Sequence, residues 1–129
     1  MSHFSTIKTE LRDRQALLEA LADLGHTPTE GAVQVRGYQG QTVQAQVAVL
    51  QPNGAHIGFR LNPESGSYEL VTDLDLWNQS VPLERFVAQL SQRYALRSIL
   101  AASAEAGFEL RGQTDHQDGS IELVVSRWF

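Results

Sequence analysis

The sequence predicts an α+β domain: an antiparallel sheet with two helices on one face, in the order β-α-β-β-β-β-α-β-β. Three observations carry this. Apolar residues recur at helical spacing in two stretches, from Asp13 to Leu24 and from Ser80 to Gly107. Between them the period drops to two, and short β-prone runs are separated by turn signals. Runs of strands set between two helices fit helices packed on one side of an antiparallel sheet better than alternating βαβ units.

Taken in order, Phe4 to Lys8 is a short first strand. Asp13 caps the first helix, Leu17, Leu18, Leu21 and Leu24 share one face, and Gly25 stops it. The segment from His26 to Gly31 is a loop, because Pro28 and Gly31 favour neither regular structure. Val33, Val35 and Gly37 then lie on one face of a strand that ends near Gly40. From Thr42 to Leu50 the alternation is strong. Val43, Ala45, Val47 and Val49 point one way, and Gln44, Gln46 and Ala48 point to a face expected to be wet. Pro52-Asn53-Gly54 and Asn62-Pro63-Glu64-Ser65-Gly66 turn the chain around a strand carrying Ile57, Phe59 and Leu61. Tyr68 to Thr72 closes an antiparallel meander.

The long helix starts at a Ser80 cap with Pro82 in its first turn. Leu83, Phe86, Val87, Leu90 and Tyr94 form one apolar stripe. Gly107 ends the helix, and Phe108–Arg111, the Asp118-Gly119 turn and Ser120–Trp128 follow as a hairpin. At roughly 100° per residue, Leu96, Ile99 and Leu100 fall on the side opposite the stripe. One sheet layer covers one stripe, so these three are expected to lie against protein that is not the sheet. Exposure would forgo roughly 1.5–3 kcal/mol each.

Composition narrows the function. A chain of 129 residues with 42% hydrophobic and 19% charged residues suits a single globular domain spanning 1–129. It contains no cysteine, which rules out disulfides, thiolate metal sites and thiol nucleophiles. The formal net charge is −5, Lys8 is the only lysine and no Lys/Arg cluster is visible in the sequence, so nucleic acid is not an expected partner. No signal peptide and no apolar run near ~20 residues is visible, and a cytoplasmic location is expected.

No catalytic motif is present. His3, His26, His56 and His116 show no metal-binding spacing, and Asp115 to Gly119 lacks the ligand pattern of a calcium loop. Glu69, Asp73 and Asp75 are close enough for acid–base work but stand at a strand end, where acids are ordinary. Neither a phosphate loop nor a Gly-x-Ser-x-Gly elbow occurs. No catalytic residue, metal or cofactor is assigned. The most distinctive stretch is Arg36-Gly37-Tyr38-Gln39-Gly40-Gln41, where two glycines flank a stacking ring and a guanidinium precedes them. Arg93 and Arg97 lie between the two faces of the long helix, and Trp128 and Phe129 end the chain. Candidate binding residues are therefore Arg36, Tyr38, Arg60, Arg93, Tyr94, Arg97 and Trp128.

Several stretches carry a family resemblance. They are Met1-Ser2-His3-Phe4-Ser5-Thr6-Ile7-Lys8-Thr9, Val35 to Gln41, Ile57-Gly58-Phe59-Arg60, Tyr68-Glu69-Leu70-Val71, Gln92-Arg93-Tyr94-Ala95, Asp118-Gly119-Ser120-Ile121 and Arg127-Trp128. Together, nearly end to end, they resemble the family known as hypothetical chloroplast reading frame thirty-five. The resemblance implies a cyanobacterial or algal-plastid protein of the cytoplasm or stroma, and it implies no activity, cofactor or catalytic residue. One departure is Leu96, where the family tends to carry an aromatic. Two functions follow as expectations. One is a non-enzymatic accessory or binding protein that docks a protein partner or a second copy through apolar surface with Arg36 and Tyr38. The alternative is a small-ligand binder or enzyme with a pocket lined by Arg36, Tyr38, Arg60 and Tyr94.

Overall fold

The structure is a computed structural model that describes residues 3–127. Its elements follow the expected order: β1 (Phe4–Lys8), α1 (Arg14–Asp23), β2 (Thr29–Arg36), β3 (Thr42–Leu50), β4 (His56–Leu61), β5 (Tyr68–Asp73), α2 (Leu83–Glu105), β6 (Phe108–Asp115) and β7 (Ile121–Arg127). The chain forms two compact units, Met1–Tyr94 and Ala95–Phe129, and the boundary falls inside α2.

The first unit holds a five-stranded antiparallel sheet in the order β1-β5-β4-β3-β2. Hairpins build β2 to β5 in sequence, and β1 adds beside β5 with Phe4 opposite Asp73 and Lys8 opposite Glu69. Local chemistry sets the helix ends. The Asp13 carboxylate accepts the Ala16 amide at 3.0 Å, and Gly25 takes a φ of 89° after the last turn of α1. One core joins both helices to one side of the sheet. Leu17, Ala20 and Leu21 of α1 and Phe86 and Leu90 of α2 pack with Val47, Val49, Ile57, Phe59 and Leu70.

The two ends of the strand order meet. Gly37, just past β2, lies so close to Phe4 of β1 that a Cβ there would stand 2.8 Å from the ring. Val35 packs on Gly58 of β4, and Val35, Ala45 and Ala48 form a second small core with Phe4, Val33 and Val43. The sheet therefore curls until β2 returns toward β1. This corrects the expected wet face of β3: Ala48 is buried, and the Gln46 carboxamide accepts the Leu61 amide at 2.8 Å.

In the second unit, the end of α2 stops at Gly107, whose φ is 85°, and leads into the β6–β7 hairpin. The turn is closed by the His116 amide donating to the Ser120 carbonyl at 2.8 Å, with Gly119 at a φ of 90°. A register shift between Leu110 and Gly112 leaves Arg111 as the extra residue on β6. Phe108, Leu110, Ile121, Leu123 and Val125 share one face, while Glu109, Glu122, Val124 and Ser126 share the other.

Candidate functional site

The distinctive segment from Arg36 to Gln41 sits at the curled seam. Its backbone is fastened by two side-chain acceptors from other strands. The Arg36 amide donates to His56 Nδ1 at 2.9 Å, and the Tyr38 amide donates to Asp73 Oδ2 at 2.9 Å. Asp73 is buried, and its second oxygen accepts the Asp75 amide at 3.1 Å, so this carboxylate organises two loops at once. The Tyr38 ring stays 39% exposed and stands 4.4 Å from the His3 imidazole, which approaches Asp75 at 3.9 Å. Gln39 carries a positive φ of 52° at the loop tip. A tyrosine face, two histidines and two aspartates thus gather where β1, β2, β4 and β5 converge. Among the described residues, no group of three histidine, aspartate or glutamate side chains is placed to hold a metal ion.

The other candidate residues have different partners. Arg60 reaches Glu69 across β4 and β5 at 3.7 Å. Arg93 on α2 meets Asp23 on α1 at 3.4 Å. The Tyr94 hydroxyl accepts the Arg12 and Asp13 amides at 3.0 and 2.8 Å, which ties α2 to the start of α1. Arg97 is half-buried in the second unit. Trp128 lies outside the described residues. Tyr94→Phe removes the acceptor for two amides at a helix start and is expected to cost about 1–2 kcal/mol. Urea denaturation checks this, and no change would show that water replaces the hydroxyl.

Two histidines make stability depend on pH. Burial lowers the His26 imidazole below its usual 6.5, in line with its edge-on packing against Phe86. Burial, followed by the positive charge of Arg36, lowers His56. The unfolded chain therefore binds more protons than the folded one as pH falls through 6.5. Stability is full above that pH, drops as pH falls toward the folded values, and levels off below them. Urea midpoints measured between about pH 7.5 and 5.5 should fall with pH. The slope should flatten in His26→Gln/His56→Gln; an unchanged slope would assign the effect to other groups.

Sequence reasoning missed Gln51. It is buried, its carbonyl oxygen accepts the Asn78 amide at 2.7 Å and the Gln79 side chain at 3.2 Å, and its amide donates to the Ala55 carbonyl. Beside it lies a cleft of about 570 Å³ whose lining includes His26, Thr29, Leu50, Asn78 and Ser80. The only signal in the sequence was a glutamine just before the Pro52-Asn53-Gly54 turn.

The second unit, the shorter of the two, exposes four large aliphatics, Ile99, Leu110, Val124 and Val125. Of the three residues on the far side of α2, Leu96 is buried, Leu100 is half-buried and Ile99 is 51% exposed. The expectation that Ile99 lies against protein is not met within the chain. A groove of about 360 Å³ runs along Leu100, Ala104, Phe108, Leu110 and Val125. Leu110 and Val125 face each other across the hairpin and remain 42% and 37% exposed. Val124, on the polar face, is 55% exposed.

Among the described residues no helix is long and apolar enough to cross a membrane. No solved structure matches the chain. It is similar to an uncharacterized protein ycf35 of Pyropia yezoensis, with 39% identity over 99% of this chain and 98% of the relative. It is equally similar, at 39%, to the ycf35 protein of Guillardia theta, and at 35% to that of Cyanophora paradoxa, with the same coverage. Residues 20–124 match the family described as protein of unknown function (DUF1257). With a match over most of its length and whole-chain relatives above 30% identity, the chain belongs to the DUF1257 family.

Proposed function

We propose that this is a non-enzymatic accessory protein of the cytoplasm or stroma that docks another protein chain through its C-terminal unit. The observation that supports this is the apolar exposure of the β6–β7 hairpin. A two-stranded hairpin is marginal in water without a cover. Here the cross-strand pair Leu110 and Val125 stays more than a third exposed and lines an apolar groove, and Ile99 in the same unit is half-exposed. Clustered aliphatic surface of this kind marks interaction sites. The first unit instead commits its distinctive polar groups to its own backbone: His56 and Asp73 accept amides, and so does Tyr94.

The test compares capture by the native chain and by Leu110→Glu/Val125→Glu, using lysate from the producing organism. A bound protein that is lost from the double variant but kept by Tyr38→Ala is the expected result. Equal capture by all three forms would remove the assignment to this surface.

A further inference from the structure

We infer that β7 is a self-pairing edge, adding antiparallel to β7 of a second copy and joining two hairpins into one four-stranded sheet. The inference rests on the docking reading above and names its partner. Edge strands present unpaired amides and carbonyls, and folded proteins blunt them with short length, charge, lysine, proline or bulges. Among the described residues there are four edges. β1 is five residues long and ends in Lys8. β2 carries Glu30 and is broken by a register shift at Gly31, whose φ is 109°. On β6 there are Glu109, Arg111 and Asp115, with a register shift before Gly112. β7 is the least guarded: its charges, Glu122 and Arg127, stand toward its ends, and its centre carries none. Its seven residues contain no glycine, proline or lysine, and the extra residue at the shift belongs to β6. Leu123-Val124-Val125 runs through its middle, and among the described residues β6 is the only strand paired with it.

The sequence of β7 is complementary to itself. Two antiparallel copies related by a two-fold axis keep their faces, so each residue pairs with one of the same parity. Centring the axis on Val124 places Leu123 opposite Val125 of the second copy and Val124 opposite Val124. The apolar face formed by Ile121, Leu123 and Val125 then continues across both hairpins, and the exposed Val124 gains a cross-strand partner. Glu122 faces the Ser126 hydroxyl of the second copy, and Arg127 of the second copy stands opposite Ile121. Ile121 is paired on its other side with Asp115, so that arginine lies two strands, about 9.6 Å, from the aspartate on the same face. Opposite charges flank both ends of the joined strands. Centring the axis on Glu122 instead would set two glutamates opposite each other, which is unfavourable.

The native chain has no cysteine, so a single introduced one reports the register directly. Val124→Cys places two sulfurs on the axis, within disulfide distance. Glu122→Cys leaves its copies offset by four residues, about 13 Å along the strand. The expected result is a dimer mass by light scattering for the native chain. Oxidation should crosslink Val124→Cys but not Glu122→Cys. Val124→Lys opposes two ammonium groups at the axis and should run at monomer mass with an unchanged far-ultraviolet circular dichroism spectrum and a thermal midpoint lowered by the lost association. A dimer mass retained by Val124→Lys, or equal crosslinking at both cysteine positions, overturns the register. A monomeric native chain whose protein capture is abolished by Val124→Lys overturns self-pairing and leaves the docking reading standing. A monomeric native chain whose capture is unaffected by Val124→Lys and by Leu110→Glu/Val125→Glu overturns both.

Discussion

Phe59→Ala is expected to destabilise the first unit by about 3–5 kcal/mol, the largest effect of any single change considered. Phe59 stands at the centre of the central strand of the sheet, opposite Val47 on one side and Leu70 on the other, and is fully buried. Its ring belongs to the core in which Leu17 and Leu21 of α1 meet Phe86 and Leu90 of α2. Strands on both sides and helices above hold that site open, so it cannot collapse onto the space an alanine leaves. Trp77 is a built-in probe, because its indole packs edge-on against Phe86 at 5.3 Å. With Trp128→Phe as background, Trp77 is the sole tryptophan. Its fluorescence through a urea transition should then show a lower midpoint with the same slope. A loss below about 1 kcal/mol would mean that the surrounding side chains refill the site.

What could be read from the sequence was whatever short-range chemistry decides. The Asp13 cap, the Gly25 and Gly107 stops and the Asp118-Gly119 turn each depend on a few neighbouring atoms, and each stands where it was expected. The apolar stripe of Phe86 and Leu90 likewise told which side of α2 meets the sheet. Strand order was not legible, because β1 pairs with β5, some sixty residues away, and nothing local specifies that. The curl of the sheet was missed for the same reason, and with it the burial of Ala48. Two glycines held a trace of it. Gly37 at the end of β2 and Gly58 inside β4 mark places where another segment approaches too closely for a side chain. The segment from Arg36 to Gln41 stood out by its residue types, yet its amides are held by His56 and Asp73, which periodicity does not connect to it. On the far side of α2, the three aliphatics declared a need for cover without naming what supplies it. The hairpin is similar: strand alternation identifies the apolar face of β7, but only the folded sheet shows that, among the described residues, β7 has a partner strand on one side alone.

Gly58→Ala, one residue from Phe59 and on the opposite face of β4, is expected to destabilise by adding volume where Phe59→Ala removes it. A methyl at Gly58 would lie 2.4 Å from Cγ2 of Val35, 3.3 Å from its Cγ1 and 3.4 Å from the Ala45 Cβ. Val35 is fully buried and β-branched, so it has no free rotamer into which the methyl contact can be relieved. β2 must lift instead, at a cost of about 1–3 kcal/mol. Lifting β2 also strains the bond from the Arg36 amide to His56, so hydrogen exchange at Arg36 should quicken beyond what global destabilisation explains. Val35→Ala removes both opposing methyls and carries its own cost from lost burial and the space left behind. Combined with Gly58→Ala, the new methyl occupies part of that space. The double variant should therefore be more stable than the sum of the two single losses, by a coupling of about 0.5–3 kcal/mol. Strict additivity would show that the two residues do not press on each other, and that the end of β2 is held by the Arg36 amide bond to His56 and the following Tyr38 amide bond to Asp73 rather than by packing.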